Sequence, residues 1–348
     1  MTSRRIKHIE LALQGGGAHG AFTWGVLDRL LEDERIEIDA ISGTSAGAMN
    51  AVVLADGLMA GGREGAREAL RRFWSRVSNA SGRGPMVPDA LRAFFGNGSL
   101  EGSPLGIYLD WVGRSMSPHQ FNPLDINPLR DILAAEVDFE RVRACNKVRL
   151  FVSATNVRTG ALKEFRQAEL SANAVMASAC LPLMFRAVEI DGEAYWDGGY
   201  LGNPSLLPLI AESPAHDLVL VQINPSRREA LPTTAADILD RLNEITFNSS
   251  LVKELRSLAL LQQLLRLEGG LPGGGCASLF TQVAALRMHR IEAAAELASL
   301  GAASKLDTGW SFLTRLHRIG HTAAQAWLDT NFTHLGRRST LALEPFLK

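Results

Sequence analysis

The chain has 348 residues, 46% of them hydrophobic, which is enough for one large core or two smaller ones. A formal charge of -1 excludes the broad basic excess that neutralises nucleic-acid phosphates, so no nucleic-acid partner is expected. The three cysteines, Cys145, Cys180 and Cys276, are odd in number and far apart, which excludes a disulfide framework and closely paired zinc ligands and fits a reducing cytoplasm.

At the N-terminus Arg4, Arg5 and Lys7 precede an apolar run that breaks at once into Gln14 and glycines, unlike a signal peptide. The longest mainly apolar stretch, Val175 to Phe185, contains Pro182 and is too short to span about 30 Å of hydrocarbon. The expected location is therefore cytoplasmic, with any membrane contact peripheral at the inner surface. Ile6 to Leu13 predicts a strand, the following glycines a tight loop, and Phe22, Val26, Leu27 and Leu30 a helix. The unit repeats: Ile36 to Ile41 predicts a strand, Gly43 to Gly47 a turn, and Ala48 to Leu58 a helix. Two successive strand–helix units imply a parallel sheet with covering helices.

Residues 78–127 change character, with many Gly, Pro and Ser around short apolar pieces, and predict an irregular insertion with short helices. Its aromatic residues Phe94, Phe95, Tyr108 and Trp111 suit an acyl pocket, a lid or a satellite core equally. Asn127-Pro128 is a cap and first-turn pair for a helix through Leu129, Ile132 and Leu133. Further strands are predicted at Arg149 to Thr155, Ala161 to Phe165, Ala187 to Ile190, Ala194 to Trp196 and Leu218 to Ile223. Turns at Thr159-Gly160 and Asp191-Gly192 make part of the sheet antiparallel. From Ala235 onward the pattern is helical, broken by a loop at Gly269 to Gly275.

Three blocks could carry chemistry. Gly43-Thr44-Ser45-Ala46-Gly47 is a GxSxG between a predicted strand and helix, a setting that can expose the Ser45 hydroxyl on a strained elbow. The plainer reading is a turn with Ser45 capping the helix. Gln14-Gly15-Gly16-Gly17-Ala18-His19-Gly20 can turn several backbone N–H groups towards one point, which suits a phosphate or an oxyanion equally. Asp197-Gly198-Gly199 reads as an ordinary tight turn unless its carboxylate serves as base to Ser45.

Together these blocks, in this order, resemble the patatin-like phospholipase family. The resemblance runs from about Leu11 to Pro204 and includes Leu181-Pro182-Leu183-Met184-Phe185, similar to the block that lies shortly before the family's acid. It implies that Ser45 is the nucleophile, that Asp197 completes a Ser–Asp dyad, and that Gly15, Gly16 and Gly17 form the oxyanion loop. His19 stands where the family often has Arg, so cationic help from it would depend on pH. The implied fold is a three-layer α/β/α patatin-like domain over 1–348. It would have a mostly parallel central sheet in a motif-bearing core at about 9–225, the insertion at about 78–127 and a helical elaboration at about 235–348. The implied activity is hydrolysis of lipid or other acyl esters through an acyl-enzyme, without calcium, another metal or any cofactor.

Two other readings compete. A Ser–His–Asp esterase of the α/β-hydrolase type could use His216, His289, His317, His321 or His334, but too few strands precede Ser45 for that fold. A non-catalytic α/β module could bind a nucleotide phosphate at Gly15, Gly17 and Gly20, although no Walker lysine follows. His317 and His321, four apart, lack the glutamate of the zinc-protease pattern and read as surface or cap residues. Arg63, Arg67 and Arg71 share a helical face that Glu64 and Glu68 interleave, the mark of a solvated surface.

Overall fold

The computed structural model describes residues 6–82, 117–229, 231–267, 277–298 and 300–347. The chain begins with strand β1 (Lys7–Leu13), a short 3-10 turn at Gly17–His19 and helix α1 (Gly20–Glu32). Strand β2 (Ile36–Gly43) leads into α2 (Ala46–Gly82), which is broken at Gly61 and Gly62. Next come α3 (Pro118–Phe121), α4 (Pro128–Glu136) and α5 (Phe139–Arg143). They are followed by β3 (Arg149–Asn156), β4 (Leu162–Arg166), α6 (Ala172–Ser178), β5 (Val188–Ile190) and β6 (Glu193–Asp197). Then come α7 (Leu207–Glu212), β7 (Asp217–Val221), α8 (Ala235–Leu267) and α9 (Ala277–Ala285). The remainder comprises β8 (Arg287–Ile291), α10 (Ala294–Ala298) and α11 (Trp310–Asn331).

The strands form one sheet in the order β5-β6-β3-β2-β1-β7-β8, with β4 also paired to β3. Pairings β1–β2, β2–β3, β1–β7 and β7–β8 are parallel, whereas β3–β4, β3–β6 and β5–β6 are antiparallel. The expected hairpins are present, with positive φ at Gly160, Asp191 and Gly192. Alternation along the strands divides the core. Ile9, Leu11 and Leu13 of β1 and Val219 and Val221 of β7 join one apolar cluster with residues of α1, α2, α6 and α11. Ala12, Leu218 and Leu220 join a second cluster with residues of α7, α8 and α9. Helices thus cover both faces of a mostly parallel sheet, as the strand periodicity requires.

Two expectations change. Strand β8 lies in the stretch expected to be helical: Met288 and Ile291 are buried, but the five residues Arg287–Ile291 are too polar and too short for a strand signal. The stretch expected to be irregular from residue 78 is still helical to Gly82, because α2 keeps Phe73, Trp74 and Val77 against the core. Asn127 caps α4 as expected, its side chain accepting the Arg130 N–H. Phe94, Phe95, Tyr108, Trp111 and the loop Gly269 to Gly275 lie outside the described residues. Arg63 and Arg67 bind the chain's own carbonyls and carboxylates, including Asp33, Asp28 and Glu32. Among the described residues no helix is long and apolar enough to cross a membrane.

Candidate active site

The sheet order reverses direction at β1, whose neighbours are β2 on one side and β7 on the other. Carboxyl ends of strands at such a reversal open a crevice, and the glycine loop after β1 occupies it. The sheet register places the other two blocks beside this loop. Gly43 on β2 pairs with Val152 on β3, and two residues further along β3, Ala154 pairs with Asp197 on β6. Ser45, two residues beyond Gly43, therefore comes level with Asp197 across β3. Two strand spacings of about 4.8 Å separate their backbones, a gap that two inward side chains can close.

Ser45 has φ +53°, the left-handed region that a non-glycine residue enters at a cost of about 1–3 kcal/mol. Local bonds hold it there. Its N–H donates to Ser178 Oγ at 2.9 Å, its carbonyl accepts the Met49 N–H at 3.0 Å, and Thr44 Oγ1 donates to the Gly202 carbonyl at 2.5 Å. A Cβ on Gly47 would run into the Leu13 carbonyl, which explains the small residue after the elbow. The structure thus has the strained turn between β2 and α2 that the GxSxG predicts.

Asp197 ends β6 and is 1% exposed. Burial raises its carboxyl pKa to about 7, opposed by a hydrogen bond from the Gly199 N–H, by the Ser45 side chain and by the charge of Lys305. The Gly199 N–H lies 2.7 Å from Asp197 Oδ1, and the Asp197 N–H donates to the Cys180 carbonyl at 2.8 Å. The carboxyl group is therefore fixed in direction and close to its midpoint at neutral pH.

The glycine loop divides its labour. Gly15 donates its N–H to Asn203 Oδ1 at 2.7 Å, and a Cβ there would stand 2.8 Å from Ser45 Cβ, so Gly15 serves by close approach rather than as a free donor. Among the described residues, no acceptor meets the N–H of Gly16 or Gly17. Gly17 has φ +58°, and a Cβ on it would strike the Lys305 carbonyl. Gln14 anchors the loop's base: its Oε1 accepts the N–H groups of Ile223 and Asn224 at 3.0 and 2.9 Å, and its Nε2 donates to Asn248 Oδ1 at 2.8 Å.

His19 is buried, its Nε2 lies 2.8 Å from Ser304 Oγ, and burial together with Lys305 lowers its pKa to about 3. The pH-dependent cation expected at this position is therefore absent above about pH 3. Lys305 is a basic side chain nearby. Its Nζ donates to Asn243 Oδ1 at 3.1 Å and lies 5.8 Å from the centre of the Phe247 ring. Burial lowers its pKa, while Glu244, Asp240 and Asp197 oppose the shift. The five histidines of the triad reading are engaged elsewhere or apart. His289 contacts Asp217 and Thr340, His317 contacts Asp28, His321 contacts Glu32 and His334 contacts Arg338. His216 sits by Lys7 and Asp217, at the amino ends of β1 and β7.

Residues 11–210, more than half of the chain, match the model for Patatin-like phospholipase. The chain belongs to the patatin-like phospholipase family. Membership supports a lipid hydrolase. Among solved structures the chain is similar to VipD from Legionella pneumophila, with 18% identity over 90% of this chain and 67% of that one and a TM-score of 0.36. It is also similar to full-length ExoU in complex with SpcU from the type III secretion system of Pseudomonas aeruginosa, with 14% identity, coverage of 99% and 76%, and a TM-score of 0.29. No curated protein matches the sequence. The patatin-like match ends at residue 210, so β7, β8 and Lys305 lie beyond it.

Several residues around the site have no signal in the sequence. Ser178 and Asn203 bear on the Ser45 elbow and the glycine loop only because distant segments fold together. Asn203 follows the Asp-Gly-Gly block closely, the one hint available.

Proposed function

We propose that the chain hydrolyses lipid acyl esters by a serine mechanism. Ser45 attacks the ester carbonyl as Asp197 accepts its proton, and the tetrahedral oxyanion sits against the N–H groups of Gly16 and Gly17. Collapse expels the alcohol, whose oxygen takes the proton back from Asp197, and leaves an acyl-enzyme. Water, deprotonated by the same carboxylate, then releases the acid. The observation that carries this reading is the pairing of a left-handed Ser45 with a buried Asp197 whose pKa is about 7. A carboxylate with its ordinary pKa is a weak base for a hydroxyl, and burial moves it towards the working range.

The nucleotide-binding reading is less well supported, because the Gly15 N–H is already committed to Asn203. The substrate class follows from family membership; headgroup, chain length and position of cleavage are read by product analysis. The test is labelling with a fluorophosphonate, followed by turnover of a short p-nitrophenyl ester. Labelling is expected in the native chain and absent in Ser45→Ala, and Asp197→Asn should lose most turnover while remaining folded. Labelling that survives Ser45→Ala, or near-normal turnover in Asp197→Asn, would falsify the mechanism.

A further inference from the structure

Away from the Ser45 site, α1 and α11 cross at two glycines. A Cβ on Gly25 would strike the His317 carbonyl, and one on Gly320 would strike the Phe22 carbonyl, so the two backbones lie nearly in contact. This approach brings two side-chain pairs, each four residues apart, against each other: Asp28 and Glu32 on α1, His317 and His321 on α11. His317 Nε2 lies 3.0 Å from Asp28 Oδ2, and His321 Nε2 lies 3.1 Å from Glu32 Oε2. Asp28, Glu32 and His321 present donor atoms that all lie within 4.8 Å of one another.

We propose that Asp28, Glu32 and His321 form a divalent transition-metal site, best suited to zinc, that clasps α11 to α1, with His317 holding Asp28 in place beside it. One imidazole beside two carboxylates makes a mixed nitrogen–oxygen donor set, with water as fourth ligand, that favours zinc over calcium or magnesium, which take oxygen ligands. Tetrahedral zinc with bonds of about 2.0–2.1 Å has donor–donor edges of roughly 3.3 Å, close to the 3.1 Å between His321 Nε2 and Glu32 Oε2, and the Asp28 donor lies within 4.8 Å of both.

The surroundings hold the donors in place. Arg67 takes the other carboxylate oxygens, Nε on Asp28 Oδ1 at 2.6 Å and Nη2 on Glu32 Oε1 at 2.8 Å, leaving Oδ2 and Oε2 towards the imidazoles. Such outer partners orient metal-binding carboxylates, and Arg67 also offsets one of the two negative charges. The Trp24 ring lies 4.1 Å from the His317 ring, centre to centre, which fixes the imidazole plane. Glu32 is exposed and the other carboxylate and the histidines are partly so, which gives the ion a path in from solvent.

The site is tested on the purified full chain after treatment with EDTA, by calorimetric titration with zinc chloride and by absorption of added cobalt(II). One zinc per chain at micromolar dissociation constant or tighter is expected, with the visible bands of four-coordinate cobalt. Saturating zinc at about a hundred times that constant should raise Tm by roughly 5 °C. Glu32→Gln, which keeps the side-chain shape, should weaken zinc at least about tenfold. The double variant His317→Ala, His321→Ala should abolish binding while matching the EDTA-treated native chain in Tm to within a few degrees. If the double variant unfolds, Glu32→Gln alone decides. Absence of saturable binding overturns the site, as does binding that Glu32→Gln and the double variant leave unchanged.

Discussion

The Gly15 N–H donates to Asn203 Oδ1 at 2.7 Å, tying the loop after β1 to the segment that follows Asp197. Asn203 also donates through Nδ2 to the Phe247 carbonyl at 3.1 Å, so one buried amide joins the glycine loop, the acid-bearing segment and α8. Asn203→Ala leaves a buried N–H without its acceptor, a loss of about 1–3 kcal/mol of stability. In the proposed mechanism the loop supplies the oxyanion donors rather than gripping the bound ester, so kcat should fall about tenfold or more with little change in KM. Steady-state kinetics on a short ester together with thermal unfolding measure both effects, and an unaltered kcat would count against this tie.

Gly17 gives a sharper test of the loop. Its positive φ and the adjacent Lys305 carbonyl leave no room for a methyl group. In Gly17→Ala the N–H of residue 17 should turn away from the oxyanion position, and one lost donor costs about 3 kcal/mol of barrier. A fall of about a hundredfold in kcat is expected, with the fluorophosphonate reaction slowed in parallel. Normal turnover would show that the oxyanion is held by other groups.

The pH profile follows from Asp197. In the proposed mechanism its carboxyl group must be ionised to accept the Ser45 proton, and burial raises its pKa to about 7. Below that value kcat/KM should fall tenfold per pH unit, and above about pH 8 it should reach a plateau. The same burial has a consequence for stability. The folded pKa lies above the ordinary value of 3.8, so folding favours the protonated form, and stability declines as pH rises from 3.8 through about 7. Asp197→Asn should therefore unfold at higher temperature than the native chain at pH 8, and the difference should vanish near pH 4. A profile flat between pH 5 and pH 8 is the adverse result.

Glu10 is a second buried acid, placed away from Ser45 on the face of β1 that meets α8. It is fully buried, and among the described residues no hydrogen bond of good geometry reaches either carboxylate oxygen, although the Ser213 side chain lies close enough to favour the ionised form. Burial raises its pKa to about 8, opposed by the Ser213 side chain and reinforced by the charges of Asp39 and Asp217. Its stabilising protonated form is retained at low pH and lost as pH climbs from 4.5 through about 8. Glu10→Gln should match the native chain at pH 5 and exceed it in Tm at pH 9. Equal melting at both pH values would show that the carboxyl group finds a partner when ionised.

How much of this was legible in the sequence depended on how local each signal is. The glycine loop, the GxSxG elbow and the Asp197 turn are written in consecutive residues, because strained turns need small neighbours at fixed offsets. The first two strand–helix units and both hairpins followed from apolar spacing and turn residues for the same reason. Strand β8 did not, since five residues with two arginines and a histidine become a strand only by pairing with β7. The neutral state of His19 comes from its burial and from the charge of Lys305, which no pattern near residue 19 announces. His317 and His321 read as surface residues because their carboxylate partners are nearly three hundred positions away.

Strand β8 also bears on shortened forms of the chain. Its backbone pairs with β7 over five residues, and β7 in turn flanks β1 beside the glycine loop. A fragment cut soon after residue 210, where the patatin-like match ends, would strip β1 of its neighbour on the β7 side and bare a row of amide and carbonyl groups there. Such a fragment keeps every sequence motif yet should precipitate on expression, so the smallest usable piece extends well past the last recognisable block.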